Sequence, residues 1–100
     1  MAGAVLATSP AVALESSTPE ARAWSHGTQQ VVAVRDDSAD GDEVYAEYFE
    51  GINAGKHELR NKKGAGHTVY SKKYTLAVHK LRACDEEDFH PDNCDIWRQD

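Results

Sequence analysis

The sequence predicts an all-β fold: a small antiparallel β-sandwich or barrel of about six strands, held by one disulfide, with an extended N-terminal tail. Three observations predict it. From Thr28 onward apolar residues recur with a period of two, and the segments carrying them are separated by turns rich in Gly and Asp. No stretch of about twelve residues keeps a helical apolar period. Successive side chains of a strand point to opposite faces, so a period of two is what a sheet with one buried face requires.

Residues 1–13 read as the remnant of a signal peptide whose start lies upstream. Ala2 to Ala7 are small and apolar, and Ala11-Val12-Ala13 has the A-x-A form of a cleavage site, although a positive n-region is missing. The mature chain is then expected to begin near Leu14 and to be secreted into the extracellular space. Residues 14–27 are rich in Ser, Thr, Pro and charge without a periodic apolar pattern, and read as an extended tail carrying one large apolar residue, Trp24.

Residues 28–100 are the expected sandwich domain. Gln30 to Arg35 holds the β-branched run Val31, Val32 and Val34 and reads as a strand. Asp36 to Asp42 is a turn cluster. Glu43 to Glu50 places Val44, Ala46 and Tyr48 on one face and Tyr45, Glu47 and Phe49 on the other. Gly51 to Gly55 turns the chain into a short strand around Leu59, from His57 to Asn61. The turn from Lys62 to Gly66 leads to His67 to Ser71, with Val69 and Tyr70. Tyr74 to Cys84 reads as the longest strand. Its apolar set shifts from Tyr74, Leu76 and Val78 to Leu81 and Ala83, a slip that a β-bulge near His79-Lys80 explains. Asp95 to Gln99 closes the chain with Ile96 and Trp97.

A chain of 100 residues has room for one domain, and its net charge of -6 describes a soluble protein. No apolar run is long enough to span a bilayer, so membrane insertion is not expected. Two cysteines, Cys84 and Cys94, fit a bridge in an exported chain. A zinc site using Cys84, His90 and Cys94 is the competing reading, but the usual C-x2-4-C spacing is missing. Eight of the eleven basic residues lie between Lys56 and Arg82, with Glu58 the one acid among them. Acidic and basic strands screening one another explain this distribution; a basic face for an anionic ligand is the sharper alternative. No nucleic-acid motif accompanies it, and nucleic acid is not an expected partner.

Motifs with chemical content are few. Asp36-x-Ser38-x-Asp40-Gly41, with Glu47 six residues after the glycine, has the spacing of a calcium loop. Strand-like flanks and Glu43 in a normally apolar position argue for a hairpin turn instead, so no metal is assigned. The five histidines are scattered, Ser71 lacks a nucleophile elbow, and Gly64-Ala65-Gly66 lacks the helix and lysine of a phosphate loop. No catalytic residue and no cofactor is assigned, and an enzyme is not expected.

Several strings resemble a group of small secreted actinobacterial proteins. They are Val34-Arg35-Asp36, Ala39-Asp40-Gly41, Val44-Tyr45-Ala46-Glu47-Tyr48, Leu59-Arg60-Asn61-Lys62, Gly64-x-Gly66-x-Thr68-Val69, Leu81-Arg82-Ala83-Cys84 and Pro91-Asp92-x-Cys94. The match covers about residues 31 to 97, and the order of the strings carries the signal. The resemblance implies that the cysteines mark a disulfide. Some members of the group are similar to the adaptor subunit of umbrella-shaped antibacterial toxin particles, which act in interbacterial competition. Such an adaptor joins a lectin-like subunit to the large toxin subunit, with an extended N-terminal segment docked into the large partner. The Leu14 to Gly27 tail would suit that role.

The expected function is therefore a secreted, non-enzymatic protein–protein interaction module, an adaptor where the resemblance holds. Its partners would be the large toxin subunit and the lectin-like subunit, and its anchors Leu14, Trp24, Tyr45, Phe49 and Trp97. The alternative is a free-standing antimicrobial or wall-binding protein that uses the basic face.

Overall fold

The computed structural model describes residues 14–26, 28–51 and 55–99, and all of its regular structure is extended. The strands are β1 (Glu15–Ser17), β2 (Ala21–His26), β3 (Val31–Asp36), β4 (Val44–Glu50), β5 (Lys56–Asn61), β6 (Thr68–Tyr70), β7 (Val78–Glu87), β8 (His90–Cys94) and β9 (Arg98–Gln99). They form two antiparallel sheets. The first runs β1-β2-β3-β6; the second runs β5-β4-β7-β8, with β9 also paired to β7. The all-β class and the disulfide agree with the sequence. The described strands number nine, not about six.

Alternation places the core as read for the central strands. Val44, Ala46 and Tyr48 of β4 face Val32 and Val34 of β3, and Val78, Leu81 and Ala83 of β7 complete the same layer. The slip in the apolar pattern of β7 is a bulge: Phe49 pairs with Lys80 and Glu50 with Val78, so His79 is passed over. That extra residue returns Val78 and Leu81 to the same buried face, although they are an odd number of positions apart.

The N-terminal segment overturns its expectation. Residues 14–26 are not a tail but strands of the first sheet, with Ala21 opposite Asp36 and His26 opposite Val31. The reason lies in side-chain size. The residues that β1 and β2 turn inward are Ser16, Ala21, Ala23 and Ser25, each at most 2% exposed. Small residues alternate as faithfully as large ones but leave no apolar periodicity to read. They let the first sheet lie close to β7, where Ser16 closes one side of the sandwich. Its Oγ accepts from the Ala83 N–H at 2.8 Å and donates to Asp95 Oδ2 at 2.7 Å. On the other side, buried Asn61 donates from Nδ2 to the carbonyls of Val34 at 3.0 Å and His67 at 2.9 Å. Residues 1–13, the expected signal-peptide remnant, lie outside the described residues.

Two further boundaries move. Residues 74–77 leave the sheet, and Tyr74 N–H donates to the Gln30 carbonyl at the start of β3. Leu76, expected inside, is 54% exposed. At its other end β7 continues through Asp85 and Glu87 into a hairpin with β8, so the segment between the cysteines is paired strand, not loop. Cys84 and Cys94 face each other across this hairpin with their Cα atoms 4.0 Å apart and their sulfurs bonded. The competing zinc reading is thereby excluded.

Candidate functional site: the outer face of the second sheet

The odd-numbered residues of β4 point away from the core. Register sets Tyr45 between Arg60 and Cys84, Glu47 between Glu58 and Arg82, and Phe49 between Lys56 and Lys80. Bands of different chemistry therefore cross the outer face of the sheet.

At one end is an aromatic pair. The rings of Phe49 and Trp97 lie 5.5 Å apart between centroids at an interplanar angle of 50°. Lys80 Nζ sits 5.6 Å from the Phe49 centroid and 4.9 Å from that of Trp97, and the Arg82 guanidinium lies 4.4 Å from the Trp97 centroid. In the middle, Glu47 is only 7% exposed. It accepts from Lys56 Nζ at 2.9 Å and from Arg82 Nε at 2.8 Å. At the far end Arg60 lies over the Tyr45 ring at 4.5 Å and binds Glu43 at 3.1 Å and Glu58 at 3.0 Å. The Tyr45 hydroxyl donates to Asp92, two residues from the disulfide.

Electrostatics fix this arrangement. Burial alone would push the Glu47 carboxyl up, but the hydrogen bonds and charges of Lys56 and Arg82 outweigh it and hold the group below the usual carboxylate range. Glu47 thus stays ionised and holds the Arg82 guanidinium beside Trp97. Burial, and then the bond to Asp92, push the Tyr45 hydroxyl up, so it remains a neutral donor. What results is an aromatic patch with cations fixed at its rim. Trp and Arg held in this way are the residue types that dominate protein–protein contacts.

The expected anchors divide. Phe49 and Trp97 meet on this face, half-buried and accessible. Tyr45 shares the face but is 5% exposed, so it supports Arg60 instead of meeting a partner directly. Leu14 is a core residue at 8% exposure and cannot anchor a tail in another protein. Trp24 lies on the outer face of the opposite sheet with the Arg22 guanidinium 4.9 Å from its ring. The alternative of a basic face does not form as one surface. Lys56, Arg60 and Arg82 pair with carboxylates, and Lys62, Lys63, Lys72 and Lys73 lie in the turns around β6. Nor does the calcium-loop spacing close on an ion: Asp36 Oδ1 accepts from the Ser38 N–H, while Glu47 faces outward between its two cations.

Sequence reasoning missed Lys80 and Arg82 as parts of the aromatic patch, because Trp97 reaches it from a separate segment. It also missed Phe89, fully exposed at the tip of the β7–β8 hairpin with a φ of 63°. A cleft of about 370 Å³ at one end of the sandwich is lined by Asp36, Ser38, Gly41, Asn61, Lys62 and Gly64, among others.

No protein-family model, curated protein or solved structure matches the chain. The disulfide fits an oxidising environment of the extracellular kind. Among the described residues no helix is long and apolar enough to cross a membrane.

Proposed function

We propose that the protein is a secreted interaction module that docks another extracellular protein on the outer face of its second sheet. The observation that carries this reading is the Phe49–Trp97 pair with Arg82, held by Glu47, and Lys80 against the rings at its edge. Ordering these side chains before binding lowers the entropy that association must lose. The finer reading is an adaptor that links a lectin-like subunit to the large subunit of an antibacterial toxin particle; it rests on the residue strings quoted above. Strands β1 and β2 belong to the sandwich, so in this account the sheet face, not residues 14–26, meets the partner.

The test is affinity purification of the tagged protein from the culture supernatant of the organism that makes it. A stoichiometric partner is expected, lost in Trp97→Ala and in Lys80→Glu but kept in Arg22→Ala on the opposite sheet. A protein recovered alone, which binds anionic wall polymers and loses them steeply with salt, would refute the proposal.

A further inference from the structure

At the end of the sandwich where β7 runs into its hairpin, carboxyl groups from separate segments converge. Glu20 comes from the β1–β2 turn, Asp40 and Asp42 from the β3–β4 loop, and Asp85 and Glu87 from β7. Oxygens of Glu20, Asp85 and Glu87 all lie within 4.8 Å of one another, as do oxygens of Glu20, Asp40 and Asp42, so the two sets share Glu20. The backbone holds these segments in place. Asp37 N–H donates to the Glu20 carbonyl at 2.9 Å, and Glu86 N–H donates to the Glu43 carbonyl at 3.0 Å.

The decisive group is Asp85. It is 0% exposed, and neither of its carboxylate oxygens has a hydrogen-bond partner. Glu20 Oε1 is likewise buried and without one. Among the described residues no lysine, arginine or histidine forms an ion pair with any of the five acids. A buried carboxylate without a donor or a counter-charge costs several kcal/mol, and native proteins tolerate one where a cation compensates it.

We infer that Asp85, Glu20 and Glu87, completed by Asp40 and Asp42, form a binding site for one calcium ion. All-oxygen, carboxylate-rich ligand sets select hard cations. Calcium holds its oxygens at about 2.3–2.6 Å, so oxygens across the ion stand up to roughly 4.6–5.2 Å apart. Within each three-acid set, oxygens that lie inside 4.8 Å of one another fit that shell. Acids from two connections and a strand end also suit the irregular, flexible coordination that calcium accepts. Bound there, the ion ties the β1–β2 turn and the β3–β4 loop to β7. This is a different ligand set from the one the calcium-loop spacing suggests: it keeps Asp40 but takes its main acids from elsewhere in the chain.

The test is calcium titration of the full chain by calorimetry, with thermal unfolding in EDTA and in CaCl2. One ion per chain is expected, with a Tm that climbs with each tenfold increase in CaCl2 and a magnesium response at least ~10-fold weaker. Asp85→Asn should lose the calcium response yet melt in EDTA no lower than the wild type, since it removes a buried charge. Glu87→Gln, less buried, gives the second reading and should bind at least ~10-fold more weakly. Asp37→Asn, an exposed acid paired with Arg35, should respond like the wild type. No heat and no Tm shift up to about 5 mM CaCl2, above the range of weak extracellular calcium modules, would overturn the inference. So would a wild-type response in both Asp85→Asn and Glu87→Gln, or equal binding of magnesium.

Discussion

Ser16→Ala is the sharpest perturbation of the fold, because one hydroxyl links the N-terminal strand to the second sheet. Ser16 is 2% exposed, and its Oγ satisfies the Ala83 N–H while donating to the Asp95 carboxylate. Losing a hydrogen bond to a charged acceptor costs about 1.5–3 kcal/mol, and a buried amide left unpartnered costs about 1–3 kcal/mol. Asp95 keeps the Ser17 N–H and Arg98 as donors, so the two costs do not add in full. We expect a net loss of about 2–4 kcal/mol. At about 4–8 °C per kcal/mol for a domain of this size, the Tm should fall by roughly 8–30 °C. Urea unfolding should show a lower midpoint with an unchanged slope. Ser17→Ala, one residue away with its side chain outward, should stay within about 0.5 kcal/mol of the wild type. Equal effects of the two substitutions, or a Ser16→Ala cost below about 0.5 kcal/mol, would refute the docking of β1 on β7.

Two further outcomes follow from the same packing. Reducing the Cys84–Cys94 bridge, whose ends are 10 residues apart, should cost about 2.7 kcal/mol in the chain-entropy model, read as a lower Tm in reductant that Cys84→Ser/Cys94→Ser reproduces. Glu47 has its folded pKa held below its unfolded value, so its contribution is present above the unfolded pKa and is lost as pH falls through the folded one. Glu47→Gln should therefore cost about 1–2 kcal/mol at neutral pH, discounted for the exposed Lys56, and nothing in strong acid. A gap between wild type and variant that persists in strong acid would contradict this account.

What was legible in the sequence depended on side-chain size and on distance along the chain. β3 and β4 announced themselves through Val31, Val32, Val34, Val44, Ala46 and Tyr48, and the bulge at His79 through the slip between Val78 and Leu81. β1 and β2 were hidden because their buried positions are Ser and Ala, which pack without signalling hydrophobicity. β8 was hidden because His90-Pro91-Asp92-Asn93 has little strand propensity; its pairing follows from the disulfide and the hairpin turn. The aromatic patch was half legible. Outward Phe49 and a C-terminal Trp97 were visible, but their meeting, with Lys80 and Arg82 beside them, depends on how residues 95–97 return along the edge of β7. The acidic cluster had no local signature, since its members come from three separate segments.

Hydroxyl-radical footprinting of the protein with and without its co-purified partner tests the central claim most directly, because both outer faces report at once. The account predicts that Phe49 and Trp97 become protected on binding while Trp24 and Tyr70, on the opposite sheet, keep their reactivity. Protection of Trp24 and Tyr70 with Phe49 and Trp97 unchanged would contradict it.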